Sequence, residues 1–520
     1  MPPRGHLFVV QADLSRIAAD AFLIPCDDKL QVAGGWRPFI EPGSKAQASS
    51  EWFQPRGLAL QDGLALLPDQ TPSEGERGPD EVVGLRVLVD TVGVASIDEM
   101  VDRSMSGVSL AAQAKSHGRR ALPLVAMPIL GVGQGKFPGQ RAEVVRKLIG
   151  RLHEFAASHP IDVALVLRRR SDYAAAQWAR KLAEDASAGG WAELSSEQLA
   201  LGDRLGEAAA RGELSIFAGA GVSKPVGFPD WRELLNALAG RDLEFTKDTD
   251  YPALAQSLDV SDLNTKVADR FRTRKHALGH ALLVDLRTEA MVTTNYDPCL
   301  ENAATVIHRD LPLRVMAREL AVGRSPWLLK LHGDIEAPDT IVLTTAQYRR
   351  LKDDHQALRG VVQTLMLTNH LLFVGFGFAD SDFLDMAEAV AKVRQLAVGA
   401  DPNTKVGTAI ELRESADRQH NQLAYHHMAP PEGDASVAAR LLEILLDRLA
   451  WRCQTSGDAR GTYLLDPDYE QDATDDDRAV RDALLKLGKV ADAHPNSAGH
   501  QAVKDLLGQL GHRPDPMRRR

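Results

Sequence analysis

The sequence SIFAGAGVSKPVGFPDW (residues 215–231) is the most informative stretch about the architecture of the larger part of the chain. The apolar segment Leu214–Ala218 predicts a strand, and the apolar stripe behind Asp230 predicts a helix. Gly219 and Gly221 lie between the two, where glycine lets a phosphate approach backbone N–H groups at a helix N-terminus. The spacing is not that of the GxGxxG fingerprint, and the chain contains no GxxxxGK[ST] motif. Alone, this junction indicates a tight turn more often than a phosphate site.

The chain repeats this rhythm of strand and helix after residue 200. Further apolar segments predict strands at Met291–Thr293, Trp327–Leu331, Ile341–Thr344, Leu371–Phe376, Val406–Leu412 and Leu423–Met428. Short apolar strands separated by helices are typical of a parallel sheet that is covered on both faces. We therefore predict a parallel-sheet α/β domain over residues 200–455.

Polar and glycine residues follow three of these strands. The segments are MVTTNYDPCLENA (291–303), LLKLHGDI (328–335) and LLFVGFGFADSDF (371–383). Ligands of open α/β sheets bind outside the carboxyl ends of the strands, so these segments and the turn after Ala218 should converge on one site.

The first 190 residues predict a separate α/β domain. Strands are expected at 7–10, 21–25, Val82–Val89, Leu122–Leu130 and Val163–Leu167, with helices after the last two. Residues 46–81 are rich in Gly, Pro, Gln and Ser and predict mostly loop. The glycine-rich sequence GVGQGKFPG follows the fourth strand.

Composition limits the remaining possibilities. The chain has 520 residues, with 61 Lys and Arg against 71 Asp and Glu, and this formal charge of −10 argues against a nucleic-acid binder. The first apolar stretch is too short for a signal peptide, and polar residues interrupt the longest uncharged window, so we expect a cytoplasmic protein without a membrane span. The three cysteines lack CxxC spacing, which predicts neither disulfides nor zinc. Residues 456–520 are expected to form a tail, with a solvated acidic linker at 466–477 followed by helices.

The four motifs GAGVS, TTNYD, KLHGD and VGFGFADSD, in this order, resemble the sirtuin-like family. They are most similar to its bacterial branch of phage-defence NAD hydrolases, over roughly residues 205–450. The resemblance implies a Rossmann-like parallel sheet and NAD+ as substrate. Protein-deacylating sirtuins carry paired CxxC elements, which this sequence lacks, so peptide chemistry is in doubt and no zinc is expected.

The resemblance also implies the site residues. Catalytic roles fall to Asn295, His332 and Asp297, and contacts to NAD+ fall to Gly219, Ala220, Gly221, Ser223, Thr294, Gly375 and Gly377. Nicotinamide leaves as a neutral ring, so cleavage needs a stabilised oxocarbenium-like transition state and a positioned nucleophile. By resemblance, Asn295 would hold the ribose or a water, and His332 would accept a proton. Asp297 would orient the site, although an N-cap role at the following helix explains it equally well.

The amino-terminal domain resembles a macrodomain, an ADP-ribose-binding fold. Asp13 stands where that family contacts adenine, and the loop Gly131, Val132, Gly133, Gln134 and Gly135 matches its diphosphate loop. The family's NAAN stretch is IPCD here (24–27), which favours binding over ADP-ribosyl hydrolysis. The alternative is a structural domain that mediates assembly.

The complete expectation is a macrodomain-like three-layer α/β domain (1–190), a sirtuin-type domain (200–455) and a short helical tail. We expect a regulated anti-phage effector that depletes NAD+, with an ADP-ribose-related nucleotide as signal, a homo-oligomeric assembly and a partner defence protein. The alternatives are a protein deacylase or ADP-ribosyltransferase, and a non-catalytic sensor of ADP-ribose or an NAD-derived signal.

Overall fold

The computed structural model describes residues 4–512 with several gaps. The segments outside the description are 42–43, 45, 49, 68–83, 114–119, 187–189, 247–248, 259, 309–311, 317–325, 355, 378–380, 397–404, 415–421 and 458. The first two residues of the strand predicted at Val82–Val89 lie outside the described residues.

Eight strands lie in the described part of the first third of the chain. They are β1 (Leu7–Gln11), β2 (Ala21–Cys26), β3 (Val32–Ala33), β4 (Trp52–Phe53), β5 (Leu64–Leu66), β6 (Leu85–Asp90), β7 (Leu124–Met127) and β8 (Asp162–Leu167). Six of them form one sheet in the order β1-β8-β7-β2-β6-β5, in which the β5–β6 pair is antiparallel and the other pairs are parallel. Strands β3 and β4 form a separate antiparallel pair. Two strands, β4 and β5, therefore lie in the region predicted as mostly loop.

Helices cover this first sheet. They are α1 (Arg37–Ile40), α2 (Ile97–Ala111), α3 (Arg141–Ser158) and α4 (Arg170–Ala186). Leu7 and Val9 belong to a buried cluster with residues of α2 and α3, whereas Phe8 and Val10 belong to a cluster that continues into the second half of the chain. Alternate residues of β1 thus face different cores, as the period of two in a strand requires.

The second half contains a seven-stranded sheet. Its strands are β9 (Leu214–Ala218), β10 (Ala290–Thr293), β11 (Arg314–Met316), β12 (Trp327–Lys330), β13 (His370–Val374), β14 (Gly407–Arg413) and β15 (Leu423–Ala429). The order is β11-β12-β10-β9-β13-β14-β15, and every pair is parallel. The predicted Rossmann-like parallel sheet is confirmed. The chain builds outward from β9 first to one side and then to the other, so the topological switch point lies between β9 and β13.

Twelve helices are described in this half and the tail. They are α5 (Ser196–Ala210), α6 (Trp231–Ala239), α7 (Tyr251–Ser257), α8 (Leu263–Arg270), α9 (Leu278–Asp285), α10 (Cys299–Ile307), α11 (Thr345–Asp354), α12 (Gln356–Thr368), α13 (Ser381–Leu396), α14 (Ala435–Thr455), α15 (Asp475–Ala493) and α16 (His500–Gln509). Asp230 caps α6, as its position before the apolar stripe predicts.

The strand predicted at Ile341–Thr344 is wrong. Residues 341–343 follow a 3-10 turn and pair with none of the strands that the structure describes. The backbone N–H groups of Leu343 and Thr344 instead donate to the side chain of Gln347 at 2.8 Å, which fixes the start of α11. The segment is apolar because Ile341 and Leu343 pack in a core with α6 and α8. Burial alone therefore produced the strand-like pattern.

Buried ion pairs connect the two halves through α14. The Asp447 carboxylate receives hydrogen bonds from Arg180 at 2.6 and 3.1 Å and lies 2.9 Å from His6 Nε2. Arg440 donates to both oxygens of Asp162 at 2.8–3.0 Å. Asp447 and Asp162 are fully buried. The amino-terminal sheet is thus anchored to a helix of the second half by charged groups that water does not reach.

The acidic linker expected to be solvated at 466–477 is also wrong in its first half. Asp466 is fully buried and Tyr469 nearly so. Asp466 and Asp468 both pair with Arg169 of the amino-terminal half, and Tyr469 donates to Asp172 at 2.7 Å. Acidic side chains in this segment therefore dock onto arginines that the first domain supplies. The domain boundaries at 1–190, 200–455 and 456–520 stay a prediction.

Candidate functional site

Two glycine turns meet back to back at the switch point of the second sheet. The Gly219 N–H donates to the Val374 carbonyl at 2.9 Å, and the Gly221 N–H donates to the Gly375 carbonyl at 2.9 Å. Gly375 has φ +65°, and a Cβ added there would lie 2.6 Å from the Val222 nitrogen. A side chain has no room at this contact, so glycine is required for the two turns to pack.

A cavity of about 530 Å³ opens beside these turns. Gly221, Gly375 and Gly377 line it, together with the end of β14 at 410–414. The opposite wall is α14, which contributes Ala439, Leu442, Glu443 and Leu446. Backbone amides, apolar groups and a few carboxylates thus surround a space at the carboxyl ends of β9, β13 and β14.

Asn295 lies on the other side of β9, after the end of β10. Its side chain is 9% exposed, and Nδ2 donates to the Gly219 carbonyl at 3.2 Å and to Ser223 Oγ at 3.1 Å. Because the Gly219 carbonyl can only accept, the amide nitrogen must face it, and Oδ1 points the other way. Oδ1 is buried and has no hydrogen-bond partner among the described residues. The side-chain carbonyl oxygen of Asn295 can therefore still accept a hydrogen bond, at a position that the glycine turn fixes.

The Ser223 hydroxyl connects Asn295 to two further buried groups. It donates to Asp297 Oδ2 at 2.8 Å and lies 3.1 Å from His280 Nε2. The other Asp297 oxygen accepts from the Cys299 N–H at 3.1 Å, at the start of α10. Asp297 thus joins the site to the start of α10, where Pro298 rather than Asp297 is the N-cap. Its orienting role stays a prediction. Ser223 was predicted to contact the diphosphate, but its hydroxyl faces Asn295, Asp297 and His280, and the contact stays a prediction.

His332 follows β12, the neighbour of β10. Thr293 and Lys330 are partners in the parallel register, so Asn295 and His332 occupy equivalent positions two residues beyond adjacent strand ends. His332 is 7% exposed, and its ring meets the Tyr348 ring edge-on with centroids 5.2 Å apart. The structure thus brings the two predicted catalytic side chains to neighbouring strand ends.

Lys330 holds the turn that carries Asn295. Its ammonium group is fully buried and donates to the carbonyls of Tyr296 and Asp297 at 2.8 and 2.9 Å, and to Glu301 at 3.0 Å. Burial raises the pKa of Glu301, an effect that the Lys330 charge opposes. A buried lysine bonded to two carbonyls fixes the turn after β10.

The remaining predicted residues divide between the two places. Gly221, Gly375 and Gly377 line the cavity, whereas Gly219 is buried behind them and Thr294 is half-buried next to Asn295. Ala220 is exposed on the turn. His280, Lys330 and Glu443 also lie at these two places, and they were not predicted from the sequence. Lys330 lies inside the quoted KLHGD motif, while nothing in the apolar sequence of α9 distinguishes His280 from a core histidine.

His280, Asp297 and Cys299 have ligand atoms within 4.8 Å of one another, which is the one cluster of potential metal ligands among the described residues. Burial raises the pKa of the Cys299 thiol well above its usual range and lowers the pKa of His280 to about 4. The Ala277 N–H donates to His280 Nδ1 at 3.1 Å, so Nε2 carries the proton and donates to Ser223. The hydrogen-bond network accounts for the cluster without an ion, and the expected absence of zinc stays a prediction.

A second cavity, of about 370 Å³, lies in the amino-terminal half. Its lining includes Asp13 after the carboxyl end of β1 and Arg168 and Arg169 after that of β8, together with Gly35 and Trp36. The predicted loop Gly131–Gly135 lies between lining residues 129 and 141 but is not among them. The structure therefore places Asp13 in a cavity with an indole ring and guanidinium groups, and the GVGQG loop beside it. The macrodomain assignment and ligand binding stay predictions.

No helix among the described residues is both long and apolar enough to cross a lipid bilayer.

Comparison with known proteins gives one family and several relatives. A family described as the SIR2-like domain matches residues 289–428, which include Asn295, Asp297, His332, Gly375 and Gly377. The NAD(+) hydrolase ThsA of Enterococcus faecium is 32% identical over 189 residues, 34% of this chain and 40% of that protein. The NAD(+) hydrolase ThsA of Cytobacillus dafuensis is 28% identical over 229 residues, 42% of this chain and 44% of that protein.

Defense-associated sirtuin 2 of Bacillus subtilis is 24% identical over 206 residues, 36% of this chain and 20% of that protein. The chain thus spans about two fifths of the length of the two ThsA relatives. It is similar to NAD(+) hydrolases over part of its length and contains a segment that matches the SIR2-like domain.

Proposed function

We propose that the chain is an NAD+ hydrolase that cleaves the nicotinamide–ribose bond and releases nicotinamide and ADP-ribose. The observation that carries this proposal is Asn295: its Nδ2 donates to the GAGVS turn, while its buried Oδ1 has no partner within the described part of the chain. A buried acceptor without a partner is costly in a folded protein. A ribose hydroxyl or a water, both donors, would satisfy it. The relatives named NAD(+) hydrolase support this choice of substrate.

The arrangement of the strand ends suits an extended dinucleotide. The cavity lies at the carboxyl ends of β9, β13 and β14. Asn295 and His332 come just after β10 and β12, on the other side of β9. Four strand spacings of about 4.8 Å give a span on the order of 19 Å. The adenosine half would occupy the cavity, the diphosphate would lie on the turn of Gly219–Gly221, and the nicotinamide ribose would reach Asn295.

Each polar group then has a task in the reaction. Asn295 Oδ1 would orient the ribose or the attacking water, and His332 would accept a proton from one of them. Asp297, behind Ser223, would hold the network and place negative charge near the developing oxocarbenium ion. No proton donor is needed for the leaving group, because nicotinamide departs as a neutral ring.

The test is chromatography of NAD+ incubated with the purified full chain. We expect nicotinamide and ADP-ribose in equal amounts, and a loss of about 10²–10⁴-fold in rate for His332→Ala, the contribution typical of general acid–base catalysis. Asn295→Ala should be similarly impaired, with both variants folded by circular dichroism. Undiminished turnover in folded His332→Ala would refute the assignment of its role. Deacylation of an acyl-lysine peptide, or transfer of ADP-ribose to protein, would favour the alternatives of a deacylase or transferase, and NAD+ binding without cleavage would favour a sensor.

We further propose that the enzyme is a regulated anti-phage effector whose amino-terminal cavity receives an ADP-ribose-related nucleotide. Uncontrolled hydrolysis would exhaust the cofactor of a cell, and a useful switch needs roughly 1–3 kcal/mol of coupling between the two sites. The name of Defense-associated sirtuin 2 supports the defence role. The contact of Glu443, on the cavity wall, with Arg120 of the amino-terminal half supports a route for the coupling.

The sensor is tested with two variants, ADP-ribose serving as the probe. A Cβ at Gly133 would meet no atom within 4 Å, so Gly133→Glu should fold. We expect Trp36→Ala to weaken ADP-ribose binding in calorimetry and Gly133→Glu to abolish activation. Regulation that persists in a fragment starting near residue 200 would exclude the amino-terminal half as the sensor.

A further inference from the structure

His280, on α9, is buried against the back of the proposed site. Its ring is 1% exposed, and both ring nitrogens are engaged: Nδ1 with the Ala277 N–H at 3.1 Å, and Nε2 with Ser223 Oγ at 3.1 Å. A backbone N–H can only donate, so Nδ1 must be the acceptor. The proton of the neutral ring therefore sits on Nε2, and Nε2–H donates to Ser223.

The Nε2–H tautomer of His280 fixes which group donates and which accepts in every hydrogen bond to Ser223. A hydroxyl has one hydrogen and two lone pairs. The hydrogen goes to Asp297 Oδ2 at 2.8 Å, because that carboxylate can only accept, and the lone pairs accept from His280 and from Asn295 Nδ2. The second hydrogen of Asn295 Nδ2 goes to the Gly219 carbonyl. The network has one consistent orientation, and in it Asn295 Oδ1 points away from both partners of Nδ2, the Gly219 carbonyl and Ser223 Oγ.

We propose that His280 is a positioning residue for NAD+ cleavage: its Nε2–H fixes the rotation of the Ser223 hydroxyl, and Ser223 in turn fixes the amide of Asn295 with Oδ1 toward the substrate. The inference rests on the proposed function, since it assigns His280 to the same site. His280 contacts no reacting atom and acts through Ser223.

The Asn295 amide also has an inverted orientation, and the Nε2–H of His280 is needed to disfavour it. Without His280, the Ser223 hydroxyl has a free lone pair and can rotate to donate to an inverted Asn295 amide. Inversion would place Oδ1 against Ser223 and turn Nδ2 toward the substrate, which replaces an acceptor by a donor. Two acceptors, Oδ1 and the Gly219 carbonyl, would then face each other, so the inverted state is populated only in part.

The experiment is a double-mutant cycle on NAD+ cleavage by the full chain. The variants are His280→Ala, Ser223→Ala and the pair of substitutions together, with His280→Gln as rescue. One buried hydrogen bond is worth about tenfold in rate, so we expect His280→Ala to lower kcat about tenfold and to leave KM within about twofold. The Gln side chain can donate from about the place of Nε2 and should recover most of the loss. In the Ser223→Ala background, the His280 substitution should change kcat by less than about twofold, because coupled residues are non-additive.

The chain offers a matched control four residues away. His276 is also 1% exposed, and burial lowers its pKa to about 4, as for His280. Its Nδ1 lies 3.1 Å from the Ala277 carbonyl, and it is not among the hydrogen-bond partners that the structure describes for Ser223. His276→Ala should keep the kcat of the wild type at a temperature where it is folded. An equal loss in His276→Ala, or losses that multiply in the double variant, would overturn the proposal and leave His280 a core residue.

A second measurement separates this inference from the proposed function. Long-range ¹H–¹⁵N spectra of the chain labelled at histidine distinguish a ring protonated at Nε2 from one protonated at Nδ1. We expect Nε2–H for His280, with a changed Nε2–H signal in Ser223→Ala. A wild type that does not cleave NAD+ would refute the proposed function even with this tautomer present. A ring protonated at Nδ1 would refute the role of His280 even in an active enzyme.

Discussion

Replacing Arg120 with Met should weaken the connection between the amino-terminal half and the wall of the larger cavity. Arg120 Nη1 lies 2.5 Å from Glu443 Oε2, and Nη2 lies 3.2 Å from Asp162 Oδ2. All three side chains are at most 10% exposed. The substitution keeps much of the apolar volume of the side chain and removes its charge. Two buried carboxylates lose one partner.

The magnitude follows from what each carboxylate retains. Breaking a buried ion pair by removing one partner costs about 3–5 kcal/mol. Asp162 keeps the hydrogen bonds of Arg440 at 2.8–3.0 Å, so the loss of stability comes from Glu443 alone. We therefore expect a loss at the lower end of this range, about 3 kcal/mol. For a cooperative unit of 150–250 residues, 1 kcal/mol shifts Tm by about 2–4 °C, which gives a decrease of roughly 6–12 °C.

The loss should depend on pH. Burial raises the pKa of Glu443, and the Arg120 charge opposes this rise, so Arg120→Met should raise the pKa further. A carboxyl group whose folded pKa is raised destabilises the fold above that pKa and is relieved when it is protonated. The deficit in Tm should therefore be larger at pH 8 than at pH 5.

Scanning calorimetry at both pH values measures the effect, with Arg151→Met as control. Arg151 pairs with Asp102 on the surface, where such pairs contribute little, and its Tm should change by no more than about 2 °C. Because Glu443 is the group left unpaired, the double variant Arg120→Met/Glu443→Met should be more stable than Arg120→Met alone. A Tm within 2 °C of wild type for Arg120→Met, or additive losses in the double variant, would show that the pair does not carry the contact.

Three further predictions concern the core and the site. Burial lowers the pKa of His276 and His280 to about 4, so the unfolded state binds more protons than the folded state between pH 6.5 and 4. As the pH falls through that window, the free energy of unfolding should decrease by up to roughly 3 kcal/mol per histidine, which a falling Tm would measure. Gly375→Ala should reduce the affinity for NAD+ in calorimetry by more than tenfold, because φ is +65° and the Cβ would contact the Val222 nitrogen. Gly360→Ala in α12, where a Cβ meets no atom within 4 Å, is the control and should leave the affinity unchanged. Elemental analysis of the purified chain should find no stoichiometric zinc, and one zinc per chain would support the deacylase alternative.

The sequence is informative about the second sheet because its central strands, β9, β10 and β13, are buried on both faces. Continuous apolar segments such as Leu371–Phe376 end at glycine or polar residues, so both the strand and its functional end can be predicted. The order of motifs then brings the predicted turns to one edge, as the parallel pairing requires. The short strand β11 lacked this signal, because three residues are too few to establish a pattern.

The errors have a common physical cause, which is burial through tertiary contacts. Ile341–Leu343 is apolar because it packs on α6 and α8, and the pattern does not distinguish this from a strand. The segment at 466–472 is acidic, and acidic composition predicts exposure unless a basic partner is known. Arg169, almost 300 residues earlier, supplies that partner. Neither contact can be inferred from local sequence.

The same reasoning explains why the proposed site was found only in part. Asn295 and His332 lie in motifs that follow strands, and the resemblance of those motifs to the sirtuin-like family selected them. His280 was not selected, because its role depends on a proton assignment that requires the positions of Ala277 N and Ser223 Oγ. A site residue that contacts substrate is constrained by chemistry that a motif can record. A residue that orients another residue is constrained by hydrogen-bond geometry alone, and that geometry becomes visible only when α9, the turn after β9 and the turn after β10 are seen together.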